Sequence, residues 1–365
     1  MKAWPLVLAA CGGTHGTPID NASPISDAPP ARLVAYVGGY STQIARYDVA
    51  RGALTPATAI TAIAADPSFL AVDPAGAHLY AVSESANRVG AYTIAPADGA
   101  LAAIGDVASG GNGPAHVFVD RSGAYLLAAN YGDGRVSVFA IQAGGGLAPA
   151  QQVVLAGTNA HEIVTDPSNH FAFVPCLGSD WVAQYTFDAT SGTLTANAVP
   201  HFTTAAGAGP RHLAFSPDGH FGYLLAETAS TLSALSLDGA TGQLAELQTL
   251  STLPAGFSGT NTGAEVWVHP SGAFVFASNR GDDSIATFSR DATSGMLALV
   301  GHTKTGGMTP RDFTLDPDGR FLYAANQASN TVVALAFDPA SGMLSSIASS
   351  VTAQMPSFVG IVALP

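Results

Sequence analysis

From residue 32 onward, short apolar runs alternate with turn-forming clusters, and no stretch keeps the spacing of an amphipathic helix. Six segments share one plan: PSFLAVDPAGAHLYAVSES, PAHVFVDRSGAYLLAANYG, AHEIVTDPSNHFAFVPCLG, PRHLAFSPDGHFGYLLAET, GAEVWVHPSGAFVFASNRG and PRDFTLDPDGRFLYAANQA. In each, an apolar run (strand a) meets a turn of the D-P-x-G type and an alternating run (strand b) follows. The turn-opening residues are Asp73, Asp120, Asp166, Ser216, His269 and Asp316, separated by 47, 46, 50, 53 and 47 residues. That period matches the ~40–50 residues of a four-stranded propeller blade. A third run of the V-x-V-F type (strand c) and a Gly-containing turn into strand d complete the unit. Strands a and b are nearly continuously apolar, as expected of strands covered on both faces by neighbouring blades.

The two ends supply a seventh unit. Ala35-Tyr36-Val37-Gly38-Gly39-Tyr40 matches strand b, Ile44-Ala45-Arg46-Tyr47 matches strand c, and Ala53-Leu54 begins strand d, with no strand a before them. Pro356-Ser357-Phe358-Val359-Gly360-Ile361-Val362 matches the strand a that begins at Pro67. The pattern therefore predicts an all-β fold: a seven-bladed β-propeller of four-stranded antiparallel blades, the last closed by the N- and C-terminal strands. Closure removes the sheet edges that an open array would expose.

Composition adds two limits. Only 11% of the 365 residues are charged and the formal net charge is −13, so the protein's field repels polyanions and nucleic acid is not an expected partner. Mean hydropathy is positive, yet past residue 30 no apolar run approaches the ~18 residues of a membrane span. At the N-terminus, Lys2, the apolar Trp4-Pro5-Leu6-Val7-Leu8 and the small residues before Cys11 resemble a bacterial lipoprotein signal. We therefore expect a signal over residues 1–11 ending at a lipidated Cys11, and a Gly/Pro/Ser-rich flexible tether over 12–31. The propeller domain then covers 32–365. Lipidation would attach the protein to a membrane in the cell envelope; without it the expected location is cytoplasmic. Nothing in the sequence specifies an oligomeric state.

A blade is a meander, so strand a begins and strand b ends at the same mouth of the central channel. Aligning the repeats projects a ring of Ser68, Ala115, His161, Arg211, Ala264, Arg311 and Ser357 to that mouth. The next positions are Phe69, His116, Glu162, His212, Glu265, Asp312 and Phe358, and the strand b ends give Glu84, Tyr131, Leu177, Glu227, Arg280, Gln327 and Tyr40. Three arginines and three histidines in these rings stand out in a chain with 13 Lys+Arg and 10 His. No His/Cys cluster has metal-ligand spacing, no Gly-x-Ser-x-Gly elbow is present, and no cofactor is expected.

The stretches NYGDGRVSVF (130–139), AHEIVTDP (160–167), GPRHLAF (209–215), GFSGTNTGAEVWVHPSGAFVFASNRGDDSIATF (256–288) and PRDFTLDPDGRFLYAANQ (310–327) together resemble the seven-bladed lactonases. That family includes propeller-type 6-phosphogluconolactonase and the fungal carboxymuconate-lactonizing enzymes. The resemblance implies a lactone hydrolase with His161, Arg211, Glu227 and Arg280 as catalytic residues. His116, His212, Glu265, Arg311, Gln327 and Tyr131 are then expected to bind the small-molecule lactone or acidic ligand. Two departures are Trp267, where many relatives carry His, and Cys176, where Asp is common. Lactone opening needs a base for water, donors for the oxyanion and an acid for the alkoxide; Glu227 and His161 are the candidates for base and acid. Two other readings use the same rings: a non-catalytic exported propeller binding an acidic ligand or protein, and a lactone-forming cycloisomerase.

Overall fold

The structure is a computed structural model and describes residues 32–364; the signal ending at Cys11 and the tether over 12–31 lie outside the described residues. Seven antiparallel sheets follow one another along the chain, each a meander in strand order a-b-c-d. In the first complete blade the strands are Leu70–Val72, His78–Ser83, Arg88–Ile94 and Leu101–Ala108. The seventh sheet pairs Pro356–Ala363 with Leu33–Gly39, in register from Leu33↔Ala363 to Gly38↔Phe358. The terminal strands therefore close the ring, as the split repeat predicts.

The repeated turn residues have a local task. Asp120 Oδ1 accepts the N–H groups of Ala124 (2.9 Å) and Tyr125 (2.8 Å), and Asp166 does the same for His170 and Phe171. An aspartate so placed replaces ladder bonds that the turn cannot make. Asn169 stands at the left-handed position (φ 63°) that glycine fills in the other five complete blades.

The core is distributed between blades. Each apolar cluster joins one adjacent pair: Leu127 and Val138 meet Val174 and Phe187, and Val34 and Tyr36 meet Leu79 and Tyr92. The same holds for the other five pairs around the ring. Burial on both faces is why strands a and b read as unbroken apolar runs. The outer strands, such as Leu101–Ala108, alternate little and are largely exposed.

Candidate active site

A straight strand would send neighbouring residues to opposite faces, yet the two rings project adjacent residues toward one channel. The register shows how. Strand a carries a bulge at its mouth end: Pro210 pairs with Ala226 and His212 with Leu225, leaving Arg211 as the extra residue. Ala115, Arg311 and Ser357 are extra in the same way, and a shift lies between Gly263 and Val266. A bulge re-aims a side chain, so both ring positions face inward. In the third blade the cause differs. Pro175 in strand b has no N–H to give its neighbour, and strand a is regular only over Val164–Thr165. His161 and Glu162 therefore sit on irregular backbone, held by the bond from His161 N–H to Pro175 O (3.0 Å).

The first ring forms the foot of the mouth. A recess of about 10 Å³ is lined by Tyr40, Ser68, Glu84, His161, Arg211, Arg311 and Ser357, together with Phe69, Ala115 and His212. Glu227 lies between two arginines, its Oε2 2.9 Å from Arg211 Nε and its Oε1 2.9 Å from Arg280 Nη2. Burial raises the Glu227 carboxyl, but Arg211, Arg280 and Arg311 outweigh it and hold it below the usual range. Arg211 is nearly inaccessible and also donates to Ala264 O. Burial and repulsion from Arg280 bring it down to about 10, against the pull of Glu227, so it stays charged at neutral pH. Arg311 donates to Tyr40 Oη (3.1 Å) and stands 5.5 Å from the centroid of that ring. Among the described residues it has no carboxylate partner.

His161 is 6% exposed. Burial, then the charge of Arg211, then His212 hold its pKa well below the ordinary histidine value, so the ring is neutral. Tyr131 packs edge-on against it at 5.6 Å, and His161 Nδ1 is 3.2 Å from His212 Nε2.

The second ring lies one layer deeper. All seven of its members, from Phe69 to Phe358, line a cavity of about 410 Å³ in the channel below the mouth. His116 and Glu265, expected among the substrate-binding residues, face this cavity and not the mouth recess; His212 and Phe69 face both. Gln327 opens a single helical turn at the end of strand b and lines neither space. Trp267, 40% exposed, lines the deeper cavity. Cys176 is fully buried and its thiol is pushed up to about 12 by burial.

A family model described as lactonase, 7-bladed beta-propeller, matches residues 34–361. The chain belongs to this family. Among solved members, it is similar to the periplasmic gluconolactonase PpgL of Pseudomonas aeruginosa, at 32% identity and a TM-score of 0.85, over 92% of this chain and 100% of that one. Sequence relatives include the 6-phosphogluconolactonase of Pectobacterium carotovorum, 37% identical over 43% of this chain and 46% of its own length. The 6-phosphogluconolactonase of Bacillus subtilis is 35% identical over 46% of this chain and 50% of its own. The chain thus spans about half the length of the curated relatives it matches. The family's matched stretch contains every blade and both rings.

The buried line from His161 through His212 was not legible in the sequence. His161 belongs to the first ring and His212 to the second, one blade on, and only the bulge at Arg211 brings His212 beneath the mouth.

Proposed function

We propose that this protein hydrolyses a sugar-acid-type lactone at the channel mouth, with His161 activating the attacking water. The observation that carries the reading is a neutral histidine beside a recess with room for about one water, lined by the Arg211 and Arg311 guanidinium groups, with Arg280 joined to Arg211 through Glu227. Water bound there gives a proton to His161 Nε2 as its oxygen bonds to the lactone carbonyl carbon. The carbonyl electron pair moves onto oxygen, and that oxyanion is met by Arg311 and Arg280. Collapse re-forms the C=O, breaks the ring C–O bond, and the departing alkoxide takes the proton back from His161. Glu227 is a poor base, because its charge is already taken up by two arginines. Its role is to hold Arg211 and Arg280 in place and to balance them.

The likeness, over 92% of this chain, to a periplasmic gluconolactonase favours an unphosphorylated aldonolactone as substrate. It also agrees with export and acylation at Cys11, which the intact mass of membrane-extracted protein would read directly. Activity is tested by titrating acid release from gluconolactone, 6-phosphogluconolactone and muconolactone with wild type, His161→Gln and Glu227→Gln. The expected result is hydrolysis of the aldonolactone, with kcat lowered by roughly 10²–10⁴-fold in His161→Gln. In Glu227→Gln, kcat/KM falls while the pH profile keeps its shape. Failure to open any lactone overturns the proposal, and full activity in His161→Gln removes that residue from it.

A further inference from the structure

The polar contacts do not end at the mouth. His161 Nδ1 lies 3.2 Å from His212 Nε2, and His212 Nδ1 lies 2.7 Å from Glu265 Oε2. Glu265 in turn shares a side-chain hydrogen bond with Asp312. These four residues come from four consecutive blades, and His212, Glu265 and Asp312 are each no more than 6% exposed. The two carboxyl groups of the line are anchored by backbone. Glu265 Oε1 accepts the Val266 N–H (3.0 Å), and Asp312 Oδ2 accepts the Val359 N–H (2.7 Å).

We propose that His212 and Glu265 are positioning residues that set the tautomer of His161, through a proton relay leading from the mouth to the cavity below. The proposal rests on the reading of His161 as the base. With Glu265 ionised, His212 Nδ1–H donates to it, so His212 Nε2 is an acceptor. His161 must then carry its proton on Nδ1, which leaves the Nε2 lone pair for water. With Glu265 protonated, every bond reverses: its O–H donates to His212 Nδ1, His212 Nε2–H donates to His161 Nδ1, and His161 Nε2 bears hydrogen. The mouth then presents a donor and no base. Neither histidine needs to become charged for the change.

The surroundings favour this behaviour. Arg211, Arg280 and Arg311 face His161, and Arg211 and Glu227 act on His212, so burial beside cationic groups keeps both rings neutral. Glu265 meets Arg211, His212 and Asp312, and burial lifts its pKa above the ordinary carboxyl range despite Arg211. Asp312 is raised as well, by burial and then by the Glu265 charge, and a proton held between the two carboxyl groups joins them. Glu162, His116 and Arg121 complete the cavity's titratable lining. That cavity, about 410 Å³, gives the relay an outlet on the side away from the substrate. Hydrolysis ends in an acid that ionises, and the released proton can leave downward while the mouth is occupied.

The test is the ¹⁵N signature of His161 in the full chain, with kinetics alongside. In wild type on the alkaline side of neutrality, His161 shows a protonated Nδ1 and a bare Nε2. As pH falls through the raised value of Glu265 the proton appears on Nε2 while the ring stays neutral. In Glu265→Gln the Val266 N–H holds the amide oxygen, so the amide nitrogen donates to His212 and His161 is locked with Nε2–H at all pH. Its kcat falls by roughly 10²-fold with KM little changed. In Asp312→Asn the amide still donates to Glu265 without a competing charge, so the switch moves to lower pH. A His161 tautomer that ignores pH in wild type, or a bare Nε2 in Glu265→Gln, overturns the relay. A switch seen by NMR in a protein that opens no lactone would leave the relay standing and sink the proposed activity instead.

Discussion

His161 and Glu162 are adjacent, and burial pushes them in opposite directions. Each favours its neutral form: the histidine is held below its ordinary value, and Glu162 is raised by burial and the Glu265 charge against the Leu213 N–H and Arg211. Proton linkage turns the second shift into a prediction. A carboxyl whose folded pKa exceeds its unfolded one contributes stability that is full below the unfolded value of about 4.3 and is lost as pH rises toward the folded value. Across that window the loss reaches ~1.4 kcal/mol per pH unit for one proton. Glu162→Gln keeps an acceptor for the Leu213 N–H, now 2.6 Å from Glu162 Oε2, but cannot ionise. The variant should therefore gain stability relative to wild type as pH is raised, as followed by denaturant melts at several pH values. A difference that is flat with pH would show that Glu162 is not held neutral. Residues of this kind were identifiable from the repeat alignment, because rare His and Arg recur at fixed offsets from the turn. Their protonation was not, because it depends on partners one blade away.

Among the elements, the strands and the D-P-x-G turns were legible because each uses a local signal: period two, an aspartate, a glycine. Bulges carry no such signal, since one extra residue in a rung is indistinguishable in sequence from a longer strand. The same limit hid a second device. The strand b ends AAN, ASN and AAN place Asn130, Asn279 and Asn326 at zero exposure. Each amide donates to a carbonyl just past strand d of the preceding blade: Ser109, Thr252 and Thr305. At Asn279 the contact is reciprocal, with Nδ2 donating to Thr252 O and Thr252 Oγ1 donating to Asn279 Oδ1, both at 2.7 Å. These asparagines fasten the loop that leads into the next strand a, the strand that carries the rings. Asn279→Ala removes both bonds but leaves the Thr252 carbonyl its contact with His302 Nε2 and the hydroxyl its bond to Ser230 O, both 2.9 Å, so each lost bond costs about 0.5–1.5 kcal/mol. A loss of roughly 2 kcal/mol in equilibrium unfolding is expected, and a loss below ~0.5 kcal/mol would mean the asparagine fastens nothing.

For the whole molecule, the ring and the site share the last strand. Pro356–Ala363 completes the sheet begun by Leu33–Gly39, and it also reaches both flanking blades. Val359 packs in the cluster shared with the sixth blade, and Phe358 and Val362 pack against the cluster shared with the first. Ser357 Oγ donates to Ser68 O (2.8 Å), while the Val359 N–H is the bond that holds Asp312 (2.7 Å). Removing this strand exposes one edge of the sheet, uncovers two apolar interfaces and frees a buried carboxyl at the end of the relay. Each of the other six blades is a continuous hairpin meander, so none of them can supply a replacement strand from its own chain. Because every cluster is shared by two blades, the damage cannot stay local, and unfolding should remain a single event shifted to lower temperature. Deleting residues 356–365 is thus expected to abolish the native transition in calorimetry, or to lower its midpoint by more than any single substitution above. Lactone hydrolysis should disappear with it. A truncated chain that melts as wild type does would mean the ring holds without its terminal strand, and that the mouth can be built from six complete blades alone.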